Sequence, residues 1–119
     1  MKKVDYRNAF FDELVKIAIA DKNVIFLTAD TDADSLLKFK KKYPDRFINT
    51  GVAEQETINL AAGLALSGKK VFVYSLLPFI TMRCFEQIKV NICSLKLPIT
   101  IIGPASSGPT QLVHRLCKV

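Results

Sequence analysis

A chain of 119 residues, half of them apolar, with 17 basic and 11 acidic side chains and a formal charge of +6, has the length and composition for one hydrophobic core. Its apolar runs fall short of the roughly 20 residues that cross a bilayer. The basic opening, residues 1–7, leads into neither an uninterrupted apolar stretch nor a small-residue cleavage site, so a cytoplasmic protein without a membrane span is expected. Much of the positive charge is local, at Lys38, Lys40, Lys41, Lys42 and Arg46, with no aromatic platform or reading helix beside it, which argues against a nucleic-acid partner.

Phe10, Phe11, Leu14, Val15, Ile17, Ala18 and Ile19, with polar residues between them, predict a helix over residues 5–21. The apolar run Val24 to Ala29, ending at Asp30, suits a buried strand. Residues 32–42 read as a helix with Asp32 or Asp34 near its cap and Tyr43-Pro44 as its stop. Lysines at its C-terminal end suit the helix dipole. Phe47-Ile48-Asn49 is a short strand that leads into Gly51. Residues 54–67 form a second long helix closed by Ser67-Gly68. Val71 to Tyr74 is a strand, residues 79–95 a third helix, and residues 98–103 a last strand.

The alternation predicts an α/β fold, a three-layer open and mostly parallel sheet with helices on both faces. Ligands of such sheets sit beyond the carboxyl ends of the strands, and Asp30, Glu54 and Phe79 all fall on that edge. Each has a plainer reading. Glu54 and Glu56, in the first turn of a helix, are favourable partners of its dipole. Asp30 can cap a helix or bond the next loop. Phe79, Met82, Phe85, Ile88, Ile92 and Leu95 recur at helical spacing, as a core stripe does. Arg83 and Glu86, three apart, can pair on the surface. Cys84, Cys93 and Cys117 are read as buried reduced thiols, with the first two too far apart along one helix to bridge. His114 is read as exposed. No glycine-rich dinucleotide or phosphate loop is present.

Several segments together resemble the pyrimidine-binding domain of transketolases. They are Asp45-Arg46-Phe47-Ile48-Asn49-Thr50-Gly51-Val52-Ala53-Glu54-Gln55, then Ala61-Ala62-Gly63-Leu64-Ala65, Tyr74-Ser75 through Phe79, and Met82-Arg83-Cys84-Phe85-Glu86-Gln87-Ile88. The resemblance spans roughly residues 5–103 and looks most like the C-terminal chain of split transketolases. It implies that Glu54 hydrogen-bonds N1′ of the pyrimidine of thiamine diphosphate, that Phe79 stacks on that ring, and that Asp30 lies near it. An amide at position 54 would keep a hydrogen bond but could not relay a proton. The second aromatic that many relatives carry three residues before Phe79 is here Leu76.

The resemblance also implies what this chain lacks. The diphosphate and Mg2+ are held in that family by another domain, whose Gly-Asp-Gly…Asn signature is absent from this sequence. An N-terminal, diphosphate-binding partner chain is therefore expected, in a homo- or hetero-oligomer that acts on sugar phosphates, and the chain alone is expected to be inactive. No residue of this chain is expected to bind the metal. The family's Asp-Gly-Pro-Thr-His segment is replaced by Ser107-Gly108-Pro109-Thr110-Gln111. Residues 1–119 are read as one partial domain, C-terminally truncated, with residues 104–119 a divergent tail. Two other readings stand beside this one. The first is part of another thiamine diphosphate enzyme, such as deoxyxylulose-phosphate synthase or an E1 β-type chain. The second is a folded remnant without catalysis, which the lost histidine favours.

Overall fold

A computed structural model of the chain describes residues 6–104 and 113–114. The elements follow the predicted order. They are α1 (Tyr6–Ala20), β1 (Val24–Thr28), α2 (Asp34–Lys42), β2 (Phe47–Asn49), α3 (Glu54–Leu66), β3 (Lys70–Tyr74), a helical segment over residues 78–93, β4 (Ile99–Ile102) and β5 (Val113–His114). The sheet order is β2-β1-β3-β4-β5, with the first four strands parallel and β5 antiparallel to β4. β5 is an addition to the predicted elements: the backbone of His114 pairs with Ile101, where the sequence suggests only a tail. Ser107 to Gln111 and Cys117 lie outside the described residues.

Strand alternation sends successive side chains to opposite faces and so makes two cores. Val24 and Phe26 of β1, Tyr74 of β3 and Ile102 of β4 pack against Phe11, Leu14 and Ala18 of α1 and Leu36 and Phe39 of α2. Phe26 is the hub of that layer, with Phe11, Phe39, Phe47 and Tyr74 rings around it. Ile25, Leu27, Val71, Val73 and Ile101 face the other way, onto Ile58, Ala61, Ala62 and Ala65 of α3. Spacing of three, four and seven residues aligns those α3 side chains on one stripe, and the alanines let the helix lie close to the sheet. These are the helix-sheet-helix layers expected from the sequence.

The helix predicted over residues 79–95 is broken. Pro78–Met82 and Ile88–Cys93 are wide π-type turns, separated by a turn at Arg83-Cys84 and the short α turn Phe85–Gln87. Ser94 N bonds Lys89 O and Leu97 N bonds Ile92 O, each five residues back, as wide turns require. This change of pitch moves the core stripe. Ile80, Cys84, Ile88 and Ile92 are buried, while Phe79, Met82, Phe85 and Leu95, which ideal helical spacing would put in the core, are exposed. Cys84 is buried and free as expected, but Cys93 is disulfide-bonded, which corrects the reading of it as a reduced thiol.

Two ties fix the end opposite the carboxyl edge. The Arg46 guanidinium donates to the carbonyls of Ala18 (2.9 Å) and Asp21 (3.1 Å), which closes α1 with a cation at its carbonyl end. Asp21 accepts from Lys70 Nζ at 2.7 Å and from the backbone N–H of Asn23 at 2.8 Å, joining the α1–β1 turn to the start of β3.

Candidate functional site

The carboxyl ends of β1, β2 and β3, with the first turn of α3 and the 78–93 segment, form one edge. α2, which follows β1, packs on one face of the sheet, and the segment that follows β3 packs on the other. The switch point of the topology is thus between β1 and β3, where such folds open a crevice. Thr31 Oγ1 and Ser75 Oγ meet at this point, 3.4 Å apart, and tie the loop after β1 to the end of β3. The buried Thr28 hydroxyl donates to Thr31 O and accepts from Thr31 N, so the loop after β1 is held at the end of its strand.

Asn49 organises the next loop. Its Oδ1 accepts from the backbone N–H groups of Asp30 (3.0 Å) and Gly51 (2.9 Å), while its Nδ2 donates to Asp30 Oδ1 at 3.3 Å. Asp30 adopts φ 51° and Gly51 φ 75°, left-handed conformations that turn both chains away from their strands. Asp30 is therefore an exposed loop anchor tied to Asn49 at the edge, and it does not cap α2, which begins without a side-chain cap. Beneath it, Thr50 Oγ1 meets Thr57 Oγ1 at 2.6 Å and donates to Thr28 O at 3.1 Å, fixing the start of α3 against β1.

That anchoring sets Glu54 as the first residue of α3 with only 5% of its surface exposed. Glu56, two residues on, is exposed at the same helix end and fits the dipole reading. Glu54 is different. Arg83 Nη1 donates to its Oε2 at 3.1 Å, and that guanidinium lies 4.6 Å from the centroid of the Phe79 ring. Gln55 Nε2 donates to the Arg83 carbonyl at 3.3 Å, so consecutive residues of α3 hold both the side chain and the main chain of Arg83.

Glu54 and Phe79, singled out in the sequence, thus share one arginine, whereas Asp30 sits at the same edge with Asn49 as its partner. The sequence suggests a local surface pair between Arg83 and Glu86; the partner of Arg83 is instead Glu54, brought close by the fold. Sequence reasoning also misses Asn49, although a polar residue that ends a strand two positions before a glycine is a turn signal. Cys84 lies beneath the pair and donates to Phe79 O at 3.6 Å. Burial, and then the neighbouring Glu54 charge, push its thiol up to about 11.

These features define an α/β domain with four parallel strands and a topological switch point, an acid at the start of one helix and a half-exposed aromatic in the next helical segment. The chain belongs to the family described as "Transketolase, pyrimidine binding domain", whose profile matches residues 2–117. It is 36% identical over 98 residues to a 1-deoxy-D-xylulose-5-phosphate synthase of Clostridium perfringens, covering 82% of this chain and 16% of that protein. It is 38% identical over 98 residues to an apulose-4-phosphate transketolase subunit of Phocaeicola vulgatus, covering 82% of this chain and 31% of that one. A solved structure titled "Split gene transketolase, inactive beta4 tetramer" superimposes with a TM-score of 0.75 at 34% identity, covering 82% of this chain and 33% of that one. The chain therefore spans a third or less of the length of these relatives.

Proposed function

We infer that this chain is the pyrimidine-binding part of a transketolase-like enzyme that moves a two-carbon ketol unit between sugar phosphates with thiamine diphosphate. The observation that carries the reading is Glu54, buried at the first turn of α3 and joined through Arg83 to the half-exposed ring of Phe79. These residues fit the flat aminopyrimidine half of the cofactor: a carboxyl for a ring nitrogen and an aromatic face for the ring. With the cofactor bound, Glu54 would bond N1′ of the ring through its carboxyl, Phe79 would stack on the ring, and Asp30, fixed by Asn49, would line the approach. When bound, the cofactor supplies an electron sink for carbanion chemistry at a carbonyl.

In this reading residues 1–119 act as one pyrimidine-binding unit, with residues 104–119 as its divergent end. The diphosphate and Mg2+ are held by an N-terminal partner chain, and the chain alone is inactive. The relative named as a transketolase subunit and the split-gene structure support such a partner. The similarity to the synthase favours a second reading, in which the same half-site serves a deoxyxylulose-phosphate synthase.

The test is calorimetric titration of thiamine diphosphate with Mg2+ into the chain mixed with a diphosphate-binding transketolase chain, run next to each chain alone. Binding that needs both chains, and that weakens in Glu54→Gln, is the expected result. A well-folded mixture that binds nothing would instead mark the chain as a folded remnant without cofactor chemistry. Release of carbon dioxide from pyruvate as donor, with an aldose phosphate as acceptor, would favour the synthase reading.

A further inference from the structure

The Glu54–Arg83–Phe79 arrangement places a cation where the proposed ligand ring needs to be. The Arg83 side chain is 49% exposed, whereas that of Glu54 is 5% exposed, so the guanidinium stands on the solvent side of the carboxyl. It binds Oε2 at 3.1 Å and covers Phe79 at 4.6 Å. A guanidinium is planar and stacks on aromatic faces while it donates in its own plane. An aminopyrimidine that stacks on Phe79 and bonds Glu54 would use the same two groups that Arg83 occupies.

We propose that Arg83 is a placeholder for the pyrimidine ring, closing the half-site in the free chain and swinging aside when the ring arrives. This rests on the reading of Glu54 and Phe79 given above. The main chain of Arg83 is held by Gln55, so the side chain can leave without moving the helical segment. Glu86, exposed and three residues further on, is a second acid within reach of the displaced guanidinium. The closed form keeps Glu54 paired and the Phe79 ring covered until a ligand replaces both contacts, so that neither an unpartnered buried acid nor a bare ring is left at the edge.

The experiment is calorimetric titration of thiamine diphosphate with Mg2+ into the two-chain mixture, with wild-type chain, Arg83→Gln, Arg83→Lys and Glu54→Gln, at low and high salt. Alongside it, the side-chain N–H signals of 15N-labelled Arg83 are followed by NMR. A placeholder predicts about fivefold tighter binding by Arg83→Gln at low salt, the size of one part-exposed ion pair. Arg83→Lys should fall between it and wild type, the gap should close as salt screens the pair, and the Arg83 side-chain signals should shift on adding cofactor. Unchanged or weaker binding by Arg83→Gln, with Glu54→Gln still disruptive, would overturn the placeholder and leave the function standing. Binding indifferent to Glu54→Gln, or absent from every mixture, would overturn both.

Discussion

Arg83 reaches Glu54 from 29 positions away in the chain, and it does so because the wide turn Pro78–Met82 packs against α3. Glu54 is therefore held by tertiary structure, through a side chain that local sequence would pair elsewhere.

Glu54→Gln should leave the fold intact. The partner cation is half-exposed and can be rehydrated, so the stability loss should be about 1 kcal/mol or less. If the chain works as proposed, turnover of the two-chain mixture should fall about a hundredfold or more, as expected when a positioned acid–base group is lost. Urea unfolding of the variant, together with its ketose-phosphate turnover in the two-chain mixture, checks both halves.

Gly103 is tightly constrained. A Cβ there would lie 1.6 Å from the Ser75 carbonyl oxygen, a backbone atom that cannot rotate away. Gly103→Ala should destabilise the domain by about 3 kcal/mol or more, at the upper end of overpacking costs. A urea midpoint equal to wild type would show that the end of β4 yields more easily than its geometry indicates.

Cys84 should be inert in the native chain. With its thiol raised to about 11, iodoacetamide at pH 8 should leave it unmodified until denaturant is added, as read by peptide mass spectrometry. Because the Glu54 charge contributes to that shift, Glu54→Gln should lower the Cys84 value and quicken its alkylation, whereas Arg83→Gln should slow it.

Asp21 gives the fold an acid-sensitive tie. The Lys70 ammonium, and then the Asn23 N–H, hold its carboxyl below the usual aspartate value. A carboxyl whose folded value is depressed adds stability above its unfolded value, near pH 3.9, and that stability is lost as pH falls through the folded value. Denaturant midpoints of Asp21→Asn should thus fall less steeply than those of wild type below about pH 4. Parallel curves would show that the tie contributes nothing.

The order of elements and the edge that gathers Asp30, Glu54 and Phe79 are legible in the sequence because each rests on local signals. Val24 to Ala29 is an uninterrupted apolar run, the α3 stripe keeps one period from Ile58 to Ala65, and Gly51 and Gly68 punctuate the chain where φ turns positive. Residues 78–93 mislead because an ideal period of 3.6 does not describe turns that bond five residues back; it places Met82 and Phe85 inside when they are 79% and 66% exposed. The partner of Arg83 is illegible for another reason. Glu86 satisfies every local rule for an ion pair, and only the packing of two distant segments lets Glu54 win. β5 leaves no signal because two residues show no period and the strand exists through its pairing with β4.

The wide turns over residues 78–93 act as a phase setting. Each five-back bond encloses one residue more than an α turn, and this decides which azimuth Phe79 and Arg83 occupy relative to Ile88 and Ile92, which are packed in the core. Deleting a single residue here would leave the segment nearly as long but rotate its front half by about 100° against its back half, the angle of one α-helical step. The anchored half would stay where it is and the half that carries Phe79 and Arg83 would point elsewhere. Insertions and deletions in this stretch are thus a dial on the site rather than a change of length, and such a chain would fold yet lose the Glu54–Arg83 contact.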